Sequence, residues 1–399
     1  MVRRNGGFIG TDGLDAPDPP TGVAVSGGVD GVASISFTAP TDAGTSSVTG
    51  FVATSSTGFG ATGTSSPISV SGLAVGTAVT FRAYAVNAYG TSAASDATDS
   101  ITPAAAIAIF AGGENYVDGG STTVIDEITI ATTANATDFG DLSEAAQSGA
   151  SASSSTRALF AAAEWASYSK NTIEFITYAS KGTSSDFGDM LDTHGQTSGL
   201  SNSTRAVFGG GKKSGGSDQN VMQYVTIAST GNTTDFGNLI TVIRNLGSAA
   251  SSTRGLYAGG YNGSDYVNQI QYITIASTGN ATDFGDLQSV TPRRGASNST
   301  RAVFFARDKT SSIIDYVTIA STGNGSDFGD MSVPCSSNTT ASGTTRAMVA
   351  GGENSSNAMI KDIQYVTIGT LGNTADFGDL QNFFSGAKMG ASNGHGGLA

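Results

Sequence analysis

The sequence predicts an all-β protein, in which a β-sandwich is followed by a six-bladed β-propeller closed by the C-terminal strand. Short alternating strands between turn residues at positions 17–103 predict the sandwich. The segment IQYITIASTGNATDFGDL at positions 270–287 predicts the propeller, because it recurs with small changes six times. Its aspartates lie 44 to 49 residues apart, at Asp138, Asp186, Asp235, Asp283, Asp327 and Asp376. A repeat of this length is one supersecondary unit, and four antiparallel strands repeated radially form a propeller.

The composition indicates a folded chain and excludes several classes of partner. Glycine makes up 55 of the 399 residues and charged residues make up only 13%, as in a low-complexity chain. However, 19 Phe and 12 Tyr at regular spacing give every repeat side chains to bury. The formal charge of −13 disfavours binding to nucleic acid and to anionic membranes. No segment is long and apolar enough to cross a membrane, so we predict neither nucleic-acid binding nor membrane insertion.

Positions 1–16 contain no segment long enough to form a regular element. They carry two arginines and two apolar residues between glycines, Arg3, Arg4, Phe8 and Ile9. Two interpretations remain open. The segment is either a frayed terminus or an arm that becomes ordered when it docks into a partner, with these four residues as its anchor.

Positions 17–103 resemble a fibronectin type III domain. Pro19-Pro20 precede the first strand, Phe37 stands where that family usually has a tryptophan, and the runs at 73–76 and 85–90 also fit. Val79 departs from the family, because it occupies the position of the conserved corner tyrosine. The weak segment GFGATGTSS and a last strand near TSAASDATDSITP complete seven predicted strands. The resemblance implies a spacer, since function resides in sites and not in folds.

Positions 104–399 contain the six repeats of the predicted propeller. Each complete repeat has a strand 1 similar to GASNS, a strand 2 similar to RAVFGG, a strand 3 similar to IQYVTIA and a short strand 4 around FGDL. An apolar run that ends in Gly-Gly resembles the kelch class of propellers, although Phe139 and its equivalents replace the usual tryptophan. Repeat 1 starts at strand 2 with Ile107, and the residues from Lys388 onward match a strand 1. We therefore predict that the C-terminal segment supplies the strand that repeat 1 lacks.

Five repeats open strand 2 with an arginine, at Arg157, Arg205, Arg254, Arg301 and Arg346. Such arginines converging on an axis predict an anion site. The alternative is that each pairs with an aspartate of the repeated turn, which suits the bidentate geometry of arginine and carboxylate. Repetition favours this structural interpretation.

We predict no catalytic residue, no metal and no cofactor. Asp-Phe-Gly occurs six times without the other kinase motifs, and its glycine is expected to take a positive φ while its aspartate caps the turn. The carboxylates are repeated or scattered, unlike the paired acids of a glycosidase. The only histidines, His194 and His395, have no metal-binding spacing, and the single Cys335 excludes an intrachain disulfide.

The six repeats differ most in the links between strands 2 and 3 and between strand 4 and the next strand 1. In an up-and-down blade both links lie on one face, which is therefore the candidate binding face. Its aromatic and basic residues suit sugar recognition; the alternative is loop drift on a surface that contacts another subunit. The predicted ligand-binding residues are Tyr116, Trp165, Tyr168, Tyr261, Tyr266, Arg293 and Arg307.

The start at positions 3–10, RRNGGFIG, and the repeats rich in Ser-Thr-Gly-Asn resemble virion structural proteins of tailed bacteriophages, particularly cyanophage-like phages of marine hosts. The resemblance implies a non-enzymatic decoration, tail-fibre or other tail-associated protein, made in the host cytoplasm and released by lysis. Its arm would bind capsid or tail proteins, its propeller would bind a host glycan or receptor, and the protein would be a homo-oligomer in the particle. A glycan-active propeller enzyme, similar to a glycosidase or sialidase, remains the alternative.

Overall fold

The structure is a computed structural model that describes residues 14–115, 120–161, 164–165, 168–384 and 388–398. The described chain is all-β and contains several antiparallel sheets, with one 3-10 helix at Gly396–Leu398. Among these residues, no helix is long and apolar enough to cross a membrane. The chain divides into two compact units, Met1–Ala105 and Ala106–Ala399.

The first unit contains two antiparallel sheets around one hydrophobic core. Its strands are β1 (Thr21–Val29), β2 (Val32–Thr38), β3 (Gly50–Ser55), β4 (Gly60–Gly63), β5 (Ile68–Val70), β6 (Phe81–Asn87) and β7 (Gly90–Thr91). The sheets have the orders β1-β2-β5 and β4-β3-β6-β7. Alternate residues of β2, β3 and β6 are buried, as the period of two predicts, and the rings of Phe37 and Phe51 lie 4.8 Å apart. The weak segment is confirmed as β4, which pairs with β3.

The prediction that the last segment of this unit, TSAASDATDSITP, forms a regular strand is wrong. After β7, contact with β6 continues through every third residue, at Ser92, Ser95 and Thr98. Each of these residues donates its backbone N–H to a carbonyl of β6, and its hydroxyl accepts the N–H of that same β6 residue. The hydroxyls therefore satisfy the backbone of β6 without a second complete strand.

The second unit contains six sheets, one for each sequence repeat. Repeat 1 contains β8 (Ile107–Ala111), β9 (Glu114–Asn115), β10 (Gly120–Thr129) and β11 (Thr137–Ala146). Repeat 2 contains β12 (Ala150–Ser153), β13 (Arg157–Ala161), β14 (Glu164–Trp165), β15 (Tyr168–Thr177) and β16 (Ser180–Gly195). Repeat 3 contains β17 (Ser198–Ser201), β18 (Arg205–Gly209), β19 (Lys212–Lys213), β20 (Val221–Thr226) and β21 (Thr234–Asn238). Repeat 4 contains β22 (Gly247–Ala250), β23 (Arg254–Ala258), β24 (Gln269–Thr274) and β25 (Thr282–Asp286). Repeat 5 contains β26 (Arg293–Ser297), β27 (Arg301–Ala306), β28 (Ile313–Thr318) and β29 (Ser326–Asp330). Repeat 6 contains β30 (Thr339–Ser342), β31 (Arg346–Glu353), β32 (Met359–Thr367) and β33 (Ala375–Phe384), and the C-terminal strand is β34 (Met389–Ser392). Repeats 2 to 6 pair strands 1, 2, 3 and 4 in that order.

Repeat 1 takes its strand 1 from the C-terminal end of the chain. Strand β34 pairs antiparallel with β8, with Met389 opposite Ala111 and Ser392 opposite Ala108. The side chain of Asn393 also accepts the N–H of Ile107 at 2.8 Å. The predicted pairing of the C-terminal segment with the first repeat is confirmed.

The strand 1 copies, here called the inner strands, are linked to one another by side-chain hydrogen bonds. In each link a hydroxyl of one inner strand donates to a backbone carbonyl of the next. The links run in a series that returns to its starting strand: Ser153 to Ser392, Ser392 to Ser342, Ser342 to Ser297, Ser297 to Ala250, Ser248 to Gly199, and Ser201 to Ser153. These short polar residues let six inner strands approach closely while every linked carbonyl keeps a partner.

The repeated Asp-Phe-Gly motif lies within strand 4 and joins each repeat to the next. In repeat 4, Gly285 has a φ of +145°, and a Cβ added there would lie 2.4 Å from the carbonyl oxygen of Gly323 in repeat 5. The next residue, Asp286, donates its N–H to the side chain of Asn324 at 3.0 Å. The positive φ is confirmed, but the predicted turn is wrong: Gly285 lies at a bulge within strand 4, opposite Ile270. The side-chain acceptor at this bulge is an asparagine of the neighbouring repeat. The motif therefore joins sheets, and a side chain at the glycine would separate them.

The strand 2 arginines also join neighbouring repeats, and the predicted pairing with aspartate is wrong. Each guanidinium lies 4.3–4.8 Å from the centre of an aromatic ring on strand 3 of its own repeat. Each also donates to a backbone carbonyl of the next repeat; Arg254 contacts Ile319, and Arg346 of repeat 6 contacts Ile130 of repeat 1. Stacking on the ring and bonding to a carbonyl satisfy the planar guanidinium without a carboxylate.

Candidate functional site

The links between strands 2 and 3 and between strand 4 and the next strand 1 lie at one end of the repeat sheets, because consecutive strands are antiparallel. We call this end the link face. Three residues at the ends of the strand 4–1 links, Ser148, Gln196 and Asn245, have left-handed backbone conformations with φ of 54–56°. Gln196 donates its N–H to Ser148, and Asn245 donates its N–H to Gln196. The links are therefore held to one another across repeats 2, 3 and 4.

The predicted residues Tyr261 and Tyr266 form an aromatic pair on the link face. Their ring centres are 5.3 Å apart in an edge-to-face arrangement. The guanidinium of Arg244 lies 4.7 Å from the centre of the Tyr261 ring, and its Nη1 is 3.2 Å from Oδ1 of Asp218. Tyr266 is 49% exposed. The four side chains thus form a row from repeat 3 to repeat 4 that ends in an exposed ring.

Backbone hydrogen bonds fix the loop that carries the two tyrosines. Tyr261 and Arg244 exchange backbone hydrogen bonds of 2.9 and 3.0 Å. The side chain of Asn262 accepts the N–H groups of Ser264 and Asp265. An Asx turn of this kind holds a short loop in one conformation. Asp218 and Arg244 were not among the predicted residues, although both lie in the variable links that predict the candidate binding face.

Arg293 was predicted to be a surface ligand-binding residue, and this is wrong. Its side chain is 0% exposed and its Nη2 lies 2.7 Å from Oδ2 of Asp315, which is also 0% exposed. Burial lowers the pKa of Arg293, whereas the Asp315 charge raises it. Asp315 stands where repeats 3, 4 and 6 have glutamine on strand 3. That substitution was visible in the sequence and indicates an internal cation as its partner.

The other predicted residues have different outcomes. Arg307 is half-buried and donates from Nη1 to the side chain of Asn245 at 2.9 Å, so it contacts the link network. Trp165 and Tyr168 are opposite each other in the pairing of β14 with β15, and their side chains are outside the described structure. The remaining five predictions lie wholly outside the described residues: Tyr116, predicted to bind a ligand, and Arg3, Arg4, Phe8 and Ile9, predicted to form the anchor.

A cavity of about 110 Å³ lies among the inner strands. Its walls come from all six of them, and alternate repeats supply hydroxyls that bond to glycine carbonyls of their neighbours: Ser151 to Gly390, Ser248 to Gly199, and Thr340 to Gly295. Near the C-terminal ends of the inner strands, His395 contacts Ser153 and Ser201. Added Cβ atoms on Gly396 and Gly397 would meet backbone atoms of three inner-strand regions at 1.9–2.7 Å. The C-terminal segment therefore fills that end of the space.

Burial shifts the pKa values of both histidines and of the cysteine in the second unit. Burial lowers the pKa of His395, whose Nε2 lies 2.9 Å from the carbonyl oxygen of Ser153, and burial likewise lowers the pKa of His194. Burial raises the pKa of the Cys335 thiol to about 11. Within the described ranges, no three His, Cys, Asp or Glu side chains are grouped to hold a metal ion.

No protein-family model matches the sequence, and no curated protein matches it either.

Proposed function

We propose that the second unit is a six-bladed, kelch-like β-propeller and that the first is a fibronectin type III-like spacer. Six antiparallel sheets, each with four or more strands, support the propeller, as does the closed series of hydrogen bonds between inner strands. The pairing of β34 with β8 removes an exposed sheet edge from repeat 1. Sheets of three and four strands around a shared core support the sandwich.

The function that we propose is non-enzymatic binding of a carbohydrate or glycosylated receptor through the link face. The observation that carries this proposal is the tyrosine pair: Tyr261 and Tyr266 are held by a fixed loop, and Tyr266 is exposed. An exposed aromatic ring packs against the C–H groups of a sugar, while nearby polar groups bond to its hydroxyls. Because Asp218 neutralises Arg244, the site favours an uncharged sugar.

We further propose that the protein is a virion component of a tailed bacteriophage. This part rests on the resemblance of the N-terminal segment and the repeats to such proteins. The N-terminal segment would attach the chain to capsid or tail proteins, and the propeller would be displayed on the particle, where several copies would bind together. Deletion of residues 1–12 tests the attachment: particles should lose the protein, as measured by immunoblotting, and normal incorporation would contradict the anchor.

Glycan-array binding of the full chain, followed by titration calorimetry with the best array ligand, tests the carbohydrate site. We expect Tyr266→Ala to weaken binding by about tenfold or more, because the exposed ring supplies the main contact. Tyr89→Ala is the matched control, since Tyr89 is also 49% exposed but lies in the first unit. If Tyr266→Ala binds as the unaltered chain does, the tyrosine pair is not the site.

A further inference from the structure

Three buried or half-buried cations stand at the beginning of the inner strands, and two of them have a carboxylate partner among the described residues. Lys388 lies 2.6 Å from Asp126, and Arg293 lies 2.7 Å from Asp315. Arg294 takes part in none of the ion pairs between the described residues. Its Nε and Nη1 donate to the backbone carbonyls of Asn338 and Leu246, at 3.3 and 3.4 Å.

Arg294 lines the cavity among the inner strands. The two carbonyls that it contacts belong to the regions before the neighbouring inner strands on either side, so the guanidinium is held by repeats 4 and 6. Nη2 makes none of the hydrogen bonds found between described residues. A guanidinium has five donors in a fixed planar arrangement, and this arrangement leaves donors for a ligand in the cavity.

The electrostatic surroundings of Arg294 favour a bound anion. Burial lowers the pKa of its guanidinium well below the usual value, and the nearby charge of Arg307 lowers it further. A half-buried cation near a second cation is less favourable than an exposed one unless an anion compensates it. Oxyanions match the planar donors of arginine in a bidentate manner.

The cavity is accessible to such a ligand from the link face. Arg294 lies at the start of its inner strand, next to the strand 4–1 link, whereas the C-terminal segment fills the space near the ends of the inner strands. A volume of about 110 Å³ accommodates a small oxyanion. The walls at this level also contain the hydroxyl-bearing residues Ser198 and Thr339.

We propose that the cavity among the inner strands is an anion-binding site, in which Arg294 binds a small oxyanion or a carboxylate group. The site is separate from the tyrosine pair and does not depend on carbohydrate binding there. The anion would offset the Arg294 charge and would connect repeats 4, 5 and 6 through one ligand.

Isothermal titration calorimetry of the full chain tests this site. Inorganic phosphate, sulfate and acetate are titrated in separate experiments, with the ionic strength kept constant by a chloride salt. We expect saturable one-site binding of at least one of the three, and the separate experiments distinguish a tetrahedral oxyanion from a carboxylate. Arg294→Gln should weaken that binding by about tenfold or more, because the charged bidentate contact is lost. Lys181→Gln removes an equal charge at an exposed position and should bind as the unaltered chain does.

Arg294→Lys provides a second variant that keeps the charge, and it should bind more weakly than arginine because it cannot bond in a bidentate manner. Absence of saturable binding to all three anions in the unaltered chain overturns the proposal, whether or not the variants fold. Equal affinity of Arg294→Gln and the unaltered chain overturns it as well.

Discussion

Removal of the Lys388 charge should destabilise the second unit strongly. Lys388 and Asp126 form an ion pair that is 2% and 0% exposed, and the pair connects the residue before β34 to strand β10 of repeat 1. Oδ1 of Asp126 has no hydrogen-bond partner among the described residues. In Lys388→Leu the aspartate would stay buried without its cation. Breaking a buried ion pair from one side costs about 3–5 kcal/mol.

Two further variants separate the ion pair from general effects of the substitution. Strand pairing shows that Lys388 occupies the position of Leu246 in repeat 4, where the strand 3 residue is Gln271. The double variant Lys388→Leu, Asp126→Gln copies that uncharged arrangement and should recover most of the loss. Lys181→Leu removes an ion pair whose lysine is 57% exposed, and should cost less than about 1 kcal/mol.

Urea unfolding followed by tryptophan fluorescence measures these differences in the second unit, because Trp165 is the only tryptophan of the chain. The reasoning is refuted if Lys388→Leu costs no more than Lys181→Leu. It is refuted equally if the double variant is no more stable than the single one, since the cost would then not come from an uncompensated Asp126.

Three other predictions follow from the contacts between repeats and from buried histidines. Gly285→Ala should lower the free energy of unfolding by about 2–4 kcal/mol, because the backbone has a positive φ and the added Cβ would lie too close to the carbonyl oxygen of Gly323. Gly279→Ala is the control, since no atom lies within 4 Å of its added Cβ; it should leave the free energy of unfolding unchanged in the same urea assay. Arg254→Met should cost about 1–3 kcal/mol through loss of the ring and carbonyl contacts, and an unchanged urea midpoint would show that these contacts contribute nothing. Because burial lowers the folded-state pKa of His194 and His395, the unfolded chain binds more protons as the pH falls below about 6.5, so stability should decrease there. The melting temperature between pH 7.5 and 5.5 checks this, and His395→Gln should reduce the slope; an identical slope would exclude a contribution from His395.

Within the repeats, the sequence by itself determined which segments form the four main strands and how they are ordered. Strand positions follow from alternation of apolar and polar residues, and six copies in one chain show which positions stay constant. The pairing of β34 with β8 was also predictable, because repeat 1 lacks a strand 1 and the residues after Lys388 supply one. The link face followed from the same comparison, and the tyrosine pair lies in it.

Only the tertiary structure decided which side chains of neighbouring repeats meet. Arg293 and Arg294 are adjacent in sequence, yet one is paired with Asp315 in the interior and the other lines a cavity between carbonyls. The strand 2 arginines likewise contact rings and carbonyls where the sequence favoured aspartates. A local pattern specifies which face of a strand is buried, because it repeats every two residues. It does not specify a partner across two sheets, because that depends on the twist and packing of chain segments far apart in sequence.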